Sequence, residues 1–240
     1  CKALVVTGCM AQRYKEEITQ EIPEVDAVLG TTSYGDIVKA LNEVQAGHVF
    51  QEFRDINELP EDSGRRVLTT GGHFGYLKIA EGCDKHCTYC IIPSLRGSFR
   101  SVPEERLLAQ AEYMASQGVK ELILVAQETT VYGTDLYGRK TLHILLKKLC
   151  QIRGIRWIRV LYCYPEEIYD ELIQVMKEEK KICNYLDLPI QHASDRILKR
   201  MGRRTTRKQL TDIITKLRRE IPDIVLRTSL ITGFPGETQE

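Results

Sequence analysis

Gly75-Tyr76-Leu77-Lys78-Ile79-Ala80-Glu81-Gly82-Cys83-Asp84-Lys85-His86-Cys87-Thr88-Tyr89-Cys90-Ile91-Ile92-Pro93-Ser94-Leu95-Arg96-Gly97-Ser98 is the stretch around which this chain is organised. Residues 75–80 alternate and predict a strand. Just past its C-terminal end stand three cysteines in the spacing Cys-x3-Cys-x2-Cys, at positions 83, 87 and 90. Thiols this close can meet on one small object only if the backbone wraps around it, so the spacing predicts three sulfurs converging on one point. Thiolates suit zinc, copper(I) and iron–sulfur clusters. A structural zinc takes four ligands, and His86 is a poor fourth, because a His lodged between two ligands in one loop usually points away. A four-iron cluster held by three cysteines leaves one iron open to a cofactor or substrate. On that reading the missing fourth ligand is the functional feature, and a non-catalytic iron–sulfur or zinc module is the alternative.

The composition is that of a globular chain: 42% hydrophobic, 28% charged, formal net charge +1. A full core is available, and the bulk charge demands no polyanionic partner. Eight cysteines, unevenly spaced, do not make a secreted disulfide framework, and the tight triplet suits a reducing, cytoplasmic compartment. No run of about 18 apolar residues is present, so no membrane is expected as a partner.

Along the chain, Ala3-Leu4-Val5-Val6-Thr7 reads as a strand, followed by a helix marked by Tyr14, Ile18 and Ile22 before Pro23. A second strand over 25–29 and a second helix marked by Ile37, Val38, Leu41 and Val44, ended by Gly47, complete a β-α-β-α order. Residues 1–46 therefore read as part of a small α/β domain whose beginning lies upstream, and the polar, turn-rich residues 47–73, including Asp62-Ser63-Gly64-Arg65-Arg66, as a linker. From 74 onward strands and helices alternate: strands at 75–80, 122–126, 155–163, 185–189 and 224–231, with helical faces between them. Repeated βα units predict an α/β fold with a parallel barrel or open sheet and right-handed crossovers.

In such barrels functional groups collect at the C-terminal ends of strands. Polar motifs stand there: Gln127-Glu128-Thr129-Thr130, Tyr162-Cys163-Tyr164-Pro165, Gln191-His192 and Thr232-Gly233-Phe234-Pro235-Gly236-Glu237. The triplet after a first strand, with Tyr89 between its last two cysteines, resembles the radical S-adenosylmethionine (SAM) superfamily. The run from Glu81 to Gly97 with Arg100-Ser101, the Gly233-Phe234-Pro235-Gly236-Glu237-Thr238 motif, and Thr7-Gly8-Cys9-Met10-Ala11 narrow the resemblance to the methylthiotransferases. Ala126-Gln127-Glu128-Thr129-Thr130, Tyr162-Cys163-Tyr164-Pro165 and Leu188-Pro189-Ile190-Gln191-His192 are similar to the branch that modifies an aspartate of the twelfth small-subunit ribosomal protein. Relatives acting on a transfer RNA adenosine usually carry Gly-Gln-Asn, Ser-His-Pro and Gln-Ser-Gly at those places.

The resemblance implies a partial parallel (β/α) barrel of the radical SAM type over 74–240, lacking its last strand, preceded by part of a methylthiotransferase domain. It implies two four-iron four-sulfur clusters and SAM as cofactors. Cys83, Cys87 and Cys90 would hold the reducing cluster, and Cys9 one corner of an auxiliary cluster left incomplete in this chain. Tyr89 would lie near the adenine, Gln127 and Glu128 would hold the methionine end of SAM, and Gly233 with Glu237 would shape the adenine side. An electron donor, a sulfur source and the small-subunit ribosomal protein or ribosome are the implied partners. Cys1, Cys150, Cys163 and Cys183 read as small hydrophobes. His192 is open between a structural and a substrate-side role, and the basic residues 199–208 read as a solvated face.

Overall fold

The computed structural model describes residues 2–60 and 67–238. Cys1 and the turn-rich stretch at 61–66, part of the expected linker, lie outside the described residues. The chain divides into two compact units, one comprising Cys1–Val67 with Ile91–Ser98, the other Leu68–Cys90 with Phe99–Glu240.

The first unit holds a parallel sheet in the order β1 (Val5–Thr7), β2 (Ala27–Leu29), β3 (Phe50–Glu52), with α1 (Cys9–Glu21) and α2 (Ile37–Gln45) as the crossovers. Strand β2 is central and buried on both faces, which is why it is wholly apolar. Its Val28 joins Ala11, Ile18 and Val25 in one cluster, while Ala27 and Leu29, pointing the other way, join Ala40, Val44 and Phe50. Helix α2 stops at Gly47, whose φ of 85° lets its N–H reach Val44 O and the His48 N–H reach Glu43 O. Phe50–Glu52 falls inside the stretch read as a linker, yet it pairs in parallel with β2, Ala27 opposite Phe50. Three residues are too few to show a period, and only the open edge of β2 makes them a strand. The short helix α3 (Ile92–Arg96) also belongs here: the buried Thr31 hydroxyl donates to Leu95 O at 2.9 Å, and Ser98 N–H donates to Asn57 Oδ1 at 3.0 Å.

The second unit is built on five parallel strands in sequential order: β4 (Phe74–Lys78), β7 (Glu121–Val125), β8 (Trp157–Val160), β9 (Ile182–Asp187) and β10 (Val225–Arg227). Between β4 and β7 lie the two-residue antiparallel pair β5 (Ala80–Glu81) and β6 (Arg100–Ser101), then α4 (Glu104–Ser116). The later crossovers carry α5 (Thr134–Tyr137) and α6 (Leu142–Cys150), α7 (Asp170–Glu178), and α8 (Asp195–Arg200) with α9 (Arg207–Glu220). The first expected strand thus ends at Lys78, and Ala80 turns into the β5–β6 ribbon. Leu122 and Leu124 alternate with half-buried neighbours in β7 and pack with Leu77, Ile158, Val160 and Leu186, all 0–1% exposed. The helices close this core with faces at helical spacing, such as Leu142, Leu145, Leu146 and Leu149. Parallel register aligns the C-terminal ends of the strands, so the loops after β7, β8, β9 and β10 open on the same edge. No helix among the described residues is long and apolar enough to cross a membrane.

Candidate functional site

The cysteine loop follows β5 and is held by backbone contacts. Asp84 Oδ1 accepts the Phe99 N–H at 2.9 Å, and Thr88 is gripped by helix α8, its N–H on Met201 O and its hydroxyl on Arg200 O, both at 3.0 Å. Gly202 makes the approach possible: its φ is 72°, and a Cβ there would stand 2.7 Å from His86 O. Cys83 and Cys87 are each 6% exposed and face one cavity of about 300 Å³, also lined by Lys85, Glu128, Lys140, Tyr164, Glu167 and Arg203. Cys90 is half-buried, its N–H turned back onto Cys87 O at 3.0 Å.

Burial pushes the Cys83 thiol up to about 11, against the backbone N–H of Lys85, and the nearby Glu128, Cys87 and Cys90 add to the rise. Among the described residues no three His, Cys, Asp or Glu groups stand close enough to hold a single metal ion. The expected convergence of three sulfurs is therefore not met at the spacing of one ion. A polynuclear cluster asks for something different, thiolates set apart on separate irons, and a cationic centre would relieve the crowding of negative groups around Cys83. The donor set, three thiols in one loop with two facing a cavity, fits a cluster better than zinc.

The cavity has two electrical poles. Glu128, 1% exposed, uses Oε1 to accept the Thr130 N–H at 2.9 Å and the Thr130 hydroxyl, while its buried Oε2 has no partner among the described residues. Burial pushes this carboxyl up to about 7, against the Thr130 hydrogen bonds and the charge of Lys85. Arg203 donates from Nη2 to Pro189 O at 3.2 Å and to Glu166 Oε2 at 3.5 Å, but its Nε and Nη1 are buried and unpartnered among the described residues. An ammonium suits the first pole and a carboxylate the second, so an amino-acid zwitterion would satisfy both. In the same cavity the Tyr164 ring carries the Arg203 guanidinium at 4.3 Å and Lys85 Nζ at 5.2 Å, and its hydroxyl lies 3.5 Å from Cys87 Sγ. Burial works against the charge on Glu167, yet Lys140 and Lys85 together hold its carboxyl below the usual carboxylate range.

The loop after β10 forms a separate wall. Tyr89 meets Phe234 edge-on, centroids 6.5 Å apart. His192 Nδ1 accepts the Ser194 N–H at 2.9 Å, which leaves Nε2 to donate to Glu237 Oε1 at 3.2 Å, and Glu237 Oε2 accepts the Phe234 N–H at 3.0 Å. Those two contacts, His192 first, hold the Glu237 carboxyl below its ordinary range. His192 thus orders the loop that carries Gly233, whose φ is 75°. Gln127 has a buried Oε1 without a partner among the described residues but does not line the cavity. In the first unit, Cys9 opens α1, half-buried, and its sulfur accepts from Arg96 Nε at 3.2 Å. Cys150 and Cys163 are buried, with thiols pushed up by burial to about 11 and about 12, and Cys183 is half-buried.

Arg203 corrects the reading of residues 199–208 as a uniformly solvated face: it is 6% exposed, and its guanidinium turns inward over Tyr164. Lys140 and Glu167 were equally silent, lying in βα loops where polar residues are ordinary. The one signal is Gly202 beside Arg203, a turn residue that interrupts the basic run just after α8.

The sequence profile of the radical SAM superfamily matches residues 77–240. The "Ribosomal protein uS12 methylthiotransferase RimO" of Lachnoclostridium phytofermentans (strain ATCC 700394 / DSM 18823 / ISDg) is 66% identical over 239 residues, covering 100% of this chain and 54% of the relative. The protein of the same name from Clostridium botulinum (strain Eklund 17B / Type B) is 52% identical over 241 residues, with the same coverages. The chain spans about half the length of the curated relatives it matches. Among solved structures, the cobalamin-dependent S-adenosylmethionine radical enzyme OxsB with aqua-cobalamin and S-adenosylmethionine bound superposes with a TM-score of 0.63 at 15% identity, over 95% of this chain and 36% of that one. The radical S-adenosylmethionine methyltransferase TsrM from Kitasatospora setae, with tryptophan substrate and a SAM analogue, gives 0.55 at 19% identity, over 70% and 32%. At these identities the structural likeness speaks for the fold.

Proposed function

Since the chain belongs to the radical SAM superfamily and its five sequential parallel strands form that superfamily's partial (β/α) barrel, we propose that it serves a methylthiotransferase that adds a methylthio group to the β-carbon of an aspartate in ribosomal protein uS12. The observation that carries the proposal is the 66% identity, over the whole of this chain, to a relative named for that activity. SAM and a four-iron cluster, the cofactors this family membership implies, supply when bound a hydrogen-atom abstraction that no side chain provides, and an auxiliary cluster supplies the sulfur.

The chain's own residues bind and orient. Cys83, Cys87 and Cys90 would hold the reducing cluster. Glu128 Oε2 would accept from the α-ammonium of SAM, and Arg203 Nε and Nη1 would donate to its α-carboxylate, since these atoms are buried and lack partners among the described residues. Tyr89 and Phe234, with Gly233 and the His192–Glu237 pair beside them, shape the adenine side. Cys9, with Arg96 donating to its sulfur, serves the auxiliary cluster. The partners are the small-subunit protein, free or in the ribosome, an electron donor and a source of sulfur, and a ribosomal substrate places the reaction in the cytoplasm.

The test is anaerobic reconstitution with iron and sulfide, followed by reductant, SAM and either uS12 or transfer RNA. Deoxyadenosine is expected from this chain, and methylthioaspartate in uS12 only from a protein that also supplies the remaining ligands of the auxiliary cluster. Methylthiolated adenosine in place of methylthioaspartate would refute the substrate, and iron uptake without any SAM cleavage would refute the catalytic reading.

A further inference from the structure

Tyr164 lies in the Tyr162-Cys163-Tyr164-Pro165 motif at the end of β8, a motif the binding roles above leave unused. Its hydroxyl stands 3.5 Å from Cys87 Sγ, at hydrogen-bonding distance for sulfur. In the free chain either atom can donate. Once Cys87 is a metal-bound thiolate it has no proton, and only the phenol can. The ring is held to this orientation from several sides. Its backbone N–H donates to the Thr130 hydroxyl at 3.1 Å, the Arg203 guanidinium covers the ring at 4.3 Å, and Lys85 Nζ approaches at 5.2 Å. Two cations over one ring draw electron density from it and strengthen its hydroxyl as a donor.

We propose that Tyr164 is a positioning residue for the reducing cluster, donating a hydrogen bond to the Cys87 sulfur that raises the cluster's reduction potential. The inference rests on the reading of Cys87 as a cluster ligand. A one-electron reduction adds negative charge to the cluster and its ligating sulfurs, so a donor aimed at one of them stabilises the reduced form more than the oxidised form. Arg203 and Lys85 then have a second role, since they fix the donor as well as line the cavity.

Tyr164→Phe removes the hydroxyl and keeps the ring and both cation contacts. The reconstituted wild-type and Y164F proteins are compared by iron content, by redox titration followed through the paramagnetic reduced cluster, and by the Fe–S stretching frequencies in H2O and D2O. Equal iron is expected. The ratio of reduced to oxidised cluster at a fixed potential should fall about tenfold in Y164F, which is about 59 mV to the negative for a one-electron couple. The wild type should show a D2O-sensitive Fe–S mode that Y164F lacks. An unchanged potential at equal iron content overturns the inference and leaves the ligand reading intact. A Y164F protein that takes up no iron also overturns it, by assigning the tyrosine to cluster assembly. A wild-type protein without the D2O-sensitive mode overturns it with no recourse to the variant, and a wild-type protein that takes up no iron at all overturns the ligand reading first and this inference with it.

Discussion

Replacing Glu128 with glutamine should stabilise the cluster-free protein above neutral pH and weaken SAM binding in the same molecule. The substitution is nearly isosteric, and the amide oxygen can still accept the Thr130 N–H and hydroxyl that Oε1 accepts now. What disappears is a buried negative charge whose second oxygen has no partner among the described residues. Burial raises this carboxyl from 4.5 to about 7, which at about 1.36 kcal/mol per pH unit sets an upper limit of about 3 kcal/mol on the cost of ionising it in the fold. The folded-state value lies above the unfolded one, so between them the folded protein holds a proton the unfolded chain has lost. Stability from this group is therefore whole below about pH 4.5, falls as pH rises to about 7, and stays low beyond. Urea unfolding of both proteins at pH 5 and pH 8 should show the Glu128→Gln advantage growing by about 2–3 kcal/mol between the two. Calorimetric titration at pH 8 should show SAM bound about 10- to 150-fold more weakly by the variant, the worth of one hydrogen bond to a charged group. An advantage equal at both pH values would refute the buried-charge argument. An advantage that grows while SAM affinity is unchanged would refute the placing of the ammonium at this pole.

Cys83→Ala should reduce bound iron to background while far-ultraviolet circular dichroism stays that of the folded chain, and retained iron at wild-type content would remove Cys83 from the ligand set. Gly202→Ala should cost roughly 1–3 kcal/mol in urea, because the residue has φ 72° and its Cβ would press on His86 O at 2.7 Å; a neutral result would mean that the cysteine loop and helix α8 can part freely. Thr206→Ala should cost about 1 kcal/mol, since Thr206 and Gln209 close a reciprocal cap on α9, with Gln209 Oε1 accepting the Thr206 N–H at 2.8 Å. That loss should leave SAM binding unchanged, which separates a stability effect from a site effect.

Local pattern carried the elements whose faces are long enough to repeat. Leu142, Leu145, Leu146 and Leu149 announce a helix by themselves, and the apolar run at 122–126 announces a buried strand. Phe50–Glu52 announces nothing, because its pairing energy comes from the edge of β2 and is invisible in three residues. The site divides in the same way. Thiols cluster in sequence because one loop must wrap one object, so Cys83, Cys87 and Cys90 are legible at once. The groups expected to face the cofactor from the other side come from three further loops, and their roles depend on which atoms the fold leaves unpaired. Glu128 was readable as a strand-end polar residue, but the unpartnered state of its Oε2 was not. Arg203 is the sharper case. Charge counting averages it into a basic run that faces water, whereas Gly202, left-handed at φ 72°, lets the chain pass against His86, and the next side chain lies over Tyr164, held by Pro189 O and Glu166. A glycine interrupting a basic run just after a helix is therefore a place to look for an inward-turned cation, because the turn that ends the helix also sets the direction of the residue that follows it.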